Sequence, residues 1–180
     1  MSAAPAFAVT THVFSTSFGT AGEGAGQVSL ASNSGVAVNS TNPNHDVYVA
    51  DTGNHRVDEF DPAEPAGKQF VLMFGKDVNK TKVQGGLATE AEKDVCTAVE
   101  VALGAECEAG TSGAAPGQFT TPTFIAVDNS AGASKGDVYV ADTANNVVTK
   151  FDASGALIES WGSGGQLNGS TATDGPFGAL

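Results

Sequence analysis

The stretch "HDVYVADTGNHRVDEFD" at residues 45–61 returns, respelled, as "GDVYVADTANNVVTKFD" at residues 136–152. Asp46 aligns with Asp137, an offset of 91 residues. Within each copy, short runs of alternating apolar residues are separated by turn residues, the pattern of short antiparallel strands. The first copy and its flanks predict strands over 35–38, 47–50, 56–60 and 69–74. The second predicts 124–127, 138–141, 147–151 and 156–161. Between the second and third strands stand Asp51-Thr52-Gly53-Asn54 and Asp142-Thr143-Ala144-Asn145. An aspartate can accept from backbone amides across a turn, and Gly or Asn tolerates positive φ. Asp51, Asn54, Asp142 and Asn145 are therefore read as turn residues. No dense Asp/Asn run with the spacing of a calcium loop accompanies them.

The offset exceeds one four-stranded unit, and the excess falls in an insertion over about 76–115. Subtracting its roughly 40 residues leaves a period of about 50, in the range of propeller blades. "VYVADTGNHRV" (47–57) closely resembles the NHL repeat, with Asn54-His55-Arg56 at the position of its N-H-R spelling. "GQFTTPTFIAVD" (117–128), its weaker counterpart "GQVSLASNSGVAVN" (26–39), and the unit ends Phe74-Gly75 and Trp161-Gly162 support the resemblance. The second copy keeps only Asn145 of the triplet, so nothing assigns it the roles of His55 and Arg56. The resemblance implies an all-β chain of NHL-type β-propeller blades, each a four-stranded antiparallel unit. Residues 7–19 are then the end of a preceding blade, 20–75 a first complete blade, 116–162 a second, and 163–180 the start of the next. Two blades leave strand edges and faces unprotected. The expectation is the N-terminal part of a longer propeller, or self-association of several chains to complete one.

Inside the insertion, Thr89-Glu90-Ala91-Glu92 has the form of a capping box, followed by Val95, Val99, Ala102 and Leu103 at helical spacing. The spacing predicts a helix over 90–103, closed by Gly104. Cys96 and Cys107 lie 11 residues apart with a turn available between them. That spacing suits neither a redox C-x-x-C nor a zinc knuckle, and a structural disulfide is expected, with two free thiols as the alternative.

A net charge of -12 opposes binding to a phosphate backbone or an anionic membrane. No apolar run reaches the roughly 18–20 residues that span a bilayer. Hydrophobic residues at 41% against 16% charged are compatible with a folded core. The first residues lack the basic and apolar regions of a secretory signal. Even so, scarce lysine, abundant small polar residues and the paired cysteines point to an extracellular or cell-surface protein.

Catalytic equipment is sparse. His12, His45 and His55 show no metal spacing such as H-E-x-x-H, and no G-x-S-x-G elbow or phosphate loop occurs. Arg56 and Asp58 share a strand face and are read as a surface ion pair, while His55 and Arg56 are the candidates for binding. The expectation is a non-catalytic binding or scaffold module, without cofactor, for a protein or glycan partner contacted through the insertion. Some propellers that resemble this family are lyases using histidines and a metal at the central channel. No matching motif occurs here, so that activity would need residues from blades outside this chain.

Overall fold

The structure is a computed structural model that describes residues 17–158 and 166–168. Two short strands, β1 (Thr20–Ala21) and β2 (Gln27–Val28), pair in parallel. The first large sheet begins with β3 (Val36–Val38), β4 (Val47–Asp51), β5 (Arg56–Phe60) and β6 (Phe70–Phe74). The insertion supplies α1 (Lys80–Gly85), α2 (Glu90–Lys93), β7 (Val95–Thr97) and α3 (Ala98–Ala102). The second sheet is built from β8 (Pro122–Val127), β9 (Val138–Asp142), β10 (Val147–Phe151) and β11 (Gln166–Asn168). All neighbours in both large sheets are antiparallel, in the orders β3-β4-β5-β6-β7 and β11-β10-β9-β8. No closed ring is formed among the described residues.

The sheets stack face to face. Tyr48, Val57, Leu72 and Phe74 of the first sheet meet Val138, Val140 and Phe151 of the second, with Phe119 of the loop that precedes β8. Phe74, Phe119 and Phe151 form a tilted aromatic trio, with the Phe74 and Phe151 centroids 4.8 Å apart. Such pairs contribute about 0.5–1.5 kcal/mol beyond their buried area. On the opposite face of the first sheet, Val47, Val49 and Phe60 are covered by Phe18 and Val28.

Two expected elements differ. The helix over 90–103 is divided into α2 and α3 by strand β7. Val95 and Thr97 are β-branched and suit a strand. β7 extends the first sheet by pairing Val95, Cys96 and Thr97 with Phe74, Met73 and Leu72. The first unit thus has five strands where four were expected. In the second unit, the described part of 156–161 makes only a bridge between Phe151 and Leu157. Among the described residues the fourth strand there is β11, which pairs with β10 across Val148 and Leu167. Residues 159–161, including Trp161, lie outside the described residues, as do His12 and most of 7–19 and 163–180.

Candidate functional site

The turn quartets form clips that reach well beyond the hairpins they close. In the first copy Asp51 Oδ1 accepts from the Ser29 N–H (2.8 Å) and Oδ2 from Asn54 Nδ2 (2.7 Å). Asn54 Nδ2 also donates to the Gly22 carbonyl (2.9 Å). In the second copy Asp142 accepts from the Thr120 N–H (2.6 Å), the Thr121 N–H (2.8 Å) and Asn145 Nδ2 (2.8 Å). Asn145 Nδ2 in turn donates to the Gly113 carbonyl (2.8 Å). Each clip spans 22 residues for the aspartate and 32 for the asparagine in both copies. The loops they hold match as well: Gly22 donates to Val28 O and Gly113 to Phe119 O. Gly26 and Gly117 both take positive φ, +71° and +84°, where a side chain would be strained.

His55 sits at φ 52° after the first turn, and its Nδ1 lies 2.7 Å from the Thr120 carbonyl. That carbonyl is an acceptor, so Nδ1 carries the proton, and the ring ties the first turn to the loop clipped by Asp142. Thr52 adds a second tie by donating Oγ1–H to the Pro122 carbonyl (2.6 Å). At the other strand end the Ser40 N–H donates to Asn129 Oδ1 and Asn129 Nδ2 to the Val38 carbonyl.

Arg56 pairs with Asp58 as alternation requires, but the pair is fully buried rather than on the surface. Arg56 Nε lies 3.1 Å from Asp58 Oδ2 and 3.2 Å from Asp51 Oδ2. Nη1 faces the Glu23 carbonyl and Met73 Sδ, and Nη2 the Gly24 and Gln27 carbonyls. All five N–H donors are used inside the protein, leaving none for a ligand. Burial pushes the Asp58 carboxyl well above the usual carboxylate range, while the Arg56 guanidinium pulls it back down. The carbonyls of the 22–28 loop are therefore gathered around one buried cation.

The insertion is stapled to the edge of the first sheet. Cys96 and Cys107 form a disulfide with Cα atoms 5.7 Å apart, packed against Met73 and Val78. The Gly110 N–H donates to Asn54 O (2.8 Å), and a Cβ at Gly110 would stand 2.7 Å from His55 O, so only glycine lets the chain pass so close. Thr89 caps α2 in the expected capping box with Glu92, and Thr97 caps α3 in a second box with Glu100. Thr97-x-x-Glu100 has the same sequence form, so this signal for a helix restart was present in the chain. Asn79 likewise caps α1 by accepting from the Lys82 N–H (3.2 Å).

Between the insertion and the second sheet lies a groove of about 720 Å³. Its apolar walls include Phe74, Val95, Phe151 and Leu157; Lys82, Glu90, Glu92, Asp94 and Glu100 supply its charge. Lys82 and Glu100 are paired at 2.6 Å, and burial raises the Asp94 carboxyl above its ordinary range. On the solvent side the insertion leaves Leu87 98%, Leu103 84% and Val99 70% exposed. Helical spacing of Val99 and Leu103 carries no information on which of them faces solvent.

Among the described residues no group of three or more His, Cys, Asp or Glu is arranged to hold a metal ion, and no helix is long and apolar enough to cross a membrane. No family model matches the chain, and no curated protein matches it.

Proposed function

We propose that this chain is a run of NHL-type propeller blades serving as a non-catalytic binding or scaffold module outside the cell, with the insertion as its partner-contacting element. The carrying observation is the trio Leu87, Val99 and Leu103, highly exposed on an insertion fixed by a disulfide and two capping boxes. Large apolar side chains displayed on a rigid element are the usual anchors of a protein interface. A protein partner is favoured over a glycan on this ground. The blade reading is supported by the offset clips, by the stacking of one sheet on the next, and by the exposed Val36, Val38 and Phe124 on the outer sheet faces. The disulfide supports an oxidising compartment.

Removing the whole insertion would strip β7 from the first sheet, so point substitutions make the cleaner test. The disulfide-intact chain and a Val99→Asp/Leu103→Asp variant should be used to capture proteins from the extracellular fraction of the source. A protein retained by the first and lost by the second, with unchanged circular dichroism, is expected. Equal retention by both would overturn the assignment of the insertion.

A further inference from the structure

The two copies place three polar residues at equivalent positions: Asp46, Tyr48 and Glu59 in the first, Asp137, Tyr139 and Lys150 in the second. In the second copy they form a charge-balanced set. Lys150 Nζ is 2.8 Å from Asp137 Oδ2 and lies 5.6 Å from the centre of the Tyr139 ring. In the first copy the lysine is replaced by Glu59; Glu59 and Tyr48 are buried and Asp46 is half-buried, whereas the Asp137, Tyr139 and Lys150 side chains are all half-buried. Glu59 is only 4% exposed and stands directly across from Tyr48, which is wholly buried, on the face that packs against the second sheet.

Three atoms of this set lack a partner of standard hydrogen-bond geometry: Asp46 Oδ1, Glu59 Oε2 and the Tyr48 hydroxyl. The Glu59 carboxyl also interacts with the Asp46 carboxyl and the Tyr48 hydroxyl. Two ionised carboxylates in contact offer only acceptors, so each leaves the other unsatisfied at a buried site, a costly arrangement. One proton converts the pair into a donor and an acceptor.

We propose that Asp46 and Glu59 form a proton-binding site at the junction of the two sheets, where a bound proton replaces the ammonium that Lys150 supplies in the second copy. Glu59 holds the proton and donates to Asp46. Burial raises the Glu59 carboxyl to about 7, with the Tyr48 hydroxyl opposing and the Asp46 charge reinforcing the shift. The remaining charged group nearby is Asp61, which adds to the repulsion and accepts from Asn44 Nδ2 and the Ala63 N–H. Beside Glu59, β6 contributes Leu72, and β3 contributes no ionisable residue. From the second sheet the facing side chains Val138, Val140, Thr149 and Phe151 are not titratable in this range. Asp142 on that face is engaged by the Thr120 and Thr121 amides.

The sign follows from linkage. Between about 4.5 and about 7 the folded chain binds the Glu59 proton and the unfolded chain does not, so stability falls as pH rises through this window. Thermal unfolding of the full chain from about pH 5 to about pH 8.5 should therefore show a falling midpoint. Glu59→Gln, whose amide keeps a donor without ionising, should remove this component of the slope and hold the low-pH midpoint at high pH. Glu59→Lys should melt above the wild type at high pH by restoring the pairing of the second copy. Should the variants fail to fold, the carboxyl ¹³C resonance of Glu59 in the wild type gives a direct reading. A titration midpoint near 7 supports the site, and one near the ordinary glutamate value overturns it. The proposal is also overturned if Glu59→Gln keeps the full wild-type slope, or if calcium at high pH reproduces the low-pH stability, which would make a metal ion the occupant.

Discussion

Arg56 is the largest fully buried side chain among the described residues, and it is satisfied by carboxylates on one side and loop carbonyls on the other. Removing it would leave Asp51 and Asp58 sharing a buried space without their cation. Arg56→Ala should therefore cost about 3–5 kcal/mol in chemical denaturation. Arg56→Lys should recover little of the loss, because a point charge cannot span the Glu23 and Gln27 carbonyls as the planar fork does. His55→Ala removes a single bond to the Thr120 carbonyl and should cost only about 1 kcal/mol. The pairing of Arg56 with Asp58 was legible from strand alternation. Its burial was not, because the carbonyls that surround it belong to a loop 29 to 33 residues earlier in the chain.

At the scale of the element, the insertion shows how local signals compete. α2 and α3 are short, and isolated helices of this length do not persist in water. They persist here through their caps, through β7 and through the disulfide. Thr97→Ala should cost about 1 kcal/mol, read from the unfolding midpoint, since it removes the α3 cap. Reducing Cys96–Cys107 opens a loop of sequence separation 11 and should cost about 3 kcal/mol in the chain-entropy model. Amide exchange should then quicken across the insertion first, while β4 and β5 stay protected. The capping boxes and the disulfide were legible because they depend on residues close in sequence. The pairing of β7 was not, because it depends on an open edge at β6 that accepts Val95–Thr97.

For the whole molecule, the outer faces matter most. Val36 and Val38 lie on the face of the first sheet turned away from the second, paired with Val49 and Val47. Phe124, 65% exposed, lies on the opposite outer face of the second sheet. A head-to-tail contact between such faces repeats the stacking already made within the chain. The chain should therefore self-associate by light scattering, in a concentration-dependent way. Phe124→Lys and Val36→Lys/Val38→Lys should each weaken assembly, and an equimolar mixture of the two variants should stop at dimers. A monodisperse wild-type monomer at high concentration would contradict this stacking.

The pentapeptide Val-Tyr-Val-Ala-Asp separates what the two levels decide. It occurs identically as β4 and β9, and in both it forms a strand whose last aspartate clips a preceding loop. The sequence by itself determined the strand and the turn that follows it, because alternation and the Asp-x-x-Asn pattern act over a few residues; the reach of the aspartate to a loop 22 residues earlier came from the tertiary structure. Burial differs: every residue of β4 is buried, whereas β9 alternates between buried and half-buried. β4 is covered on one face by the second sheet and on the other by residues of the 18–28 segment, while among the described residues β9 has one covered face. Only the tertiary structure decided this, since covering a second face depends on segments distant in sequence; likewise the second sheet, packed on the Tyr48 face, leaves Glu59 4% exposed.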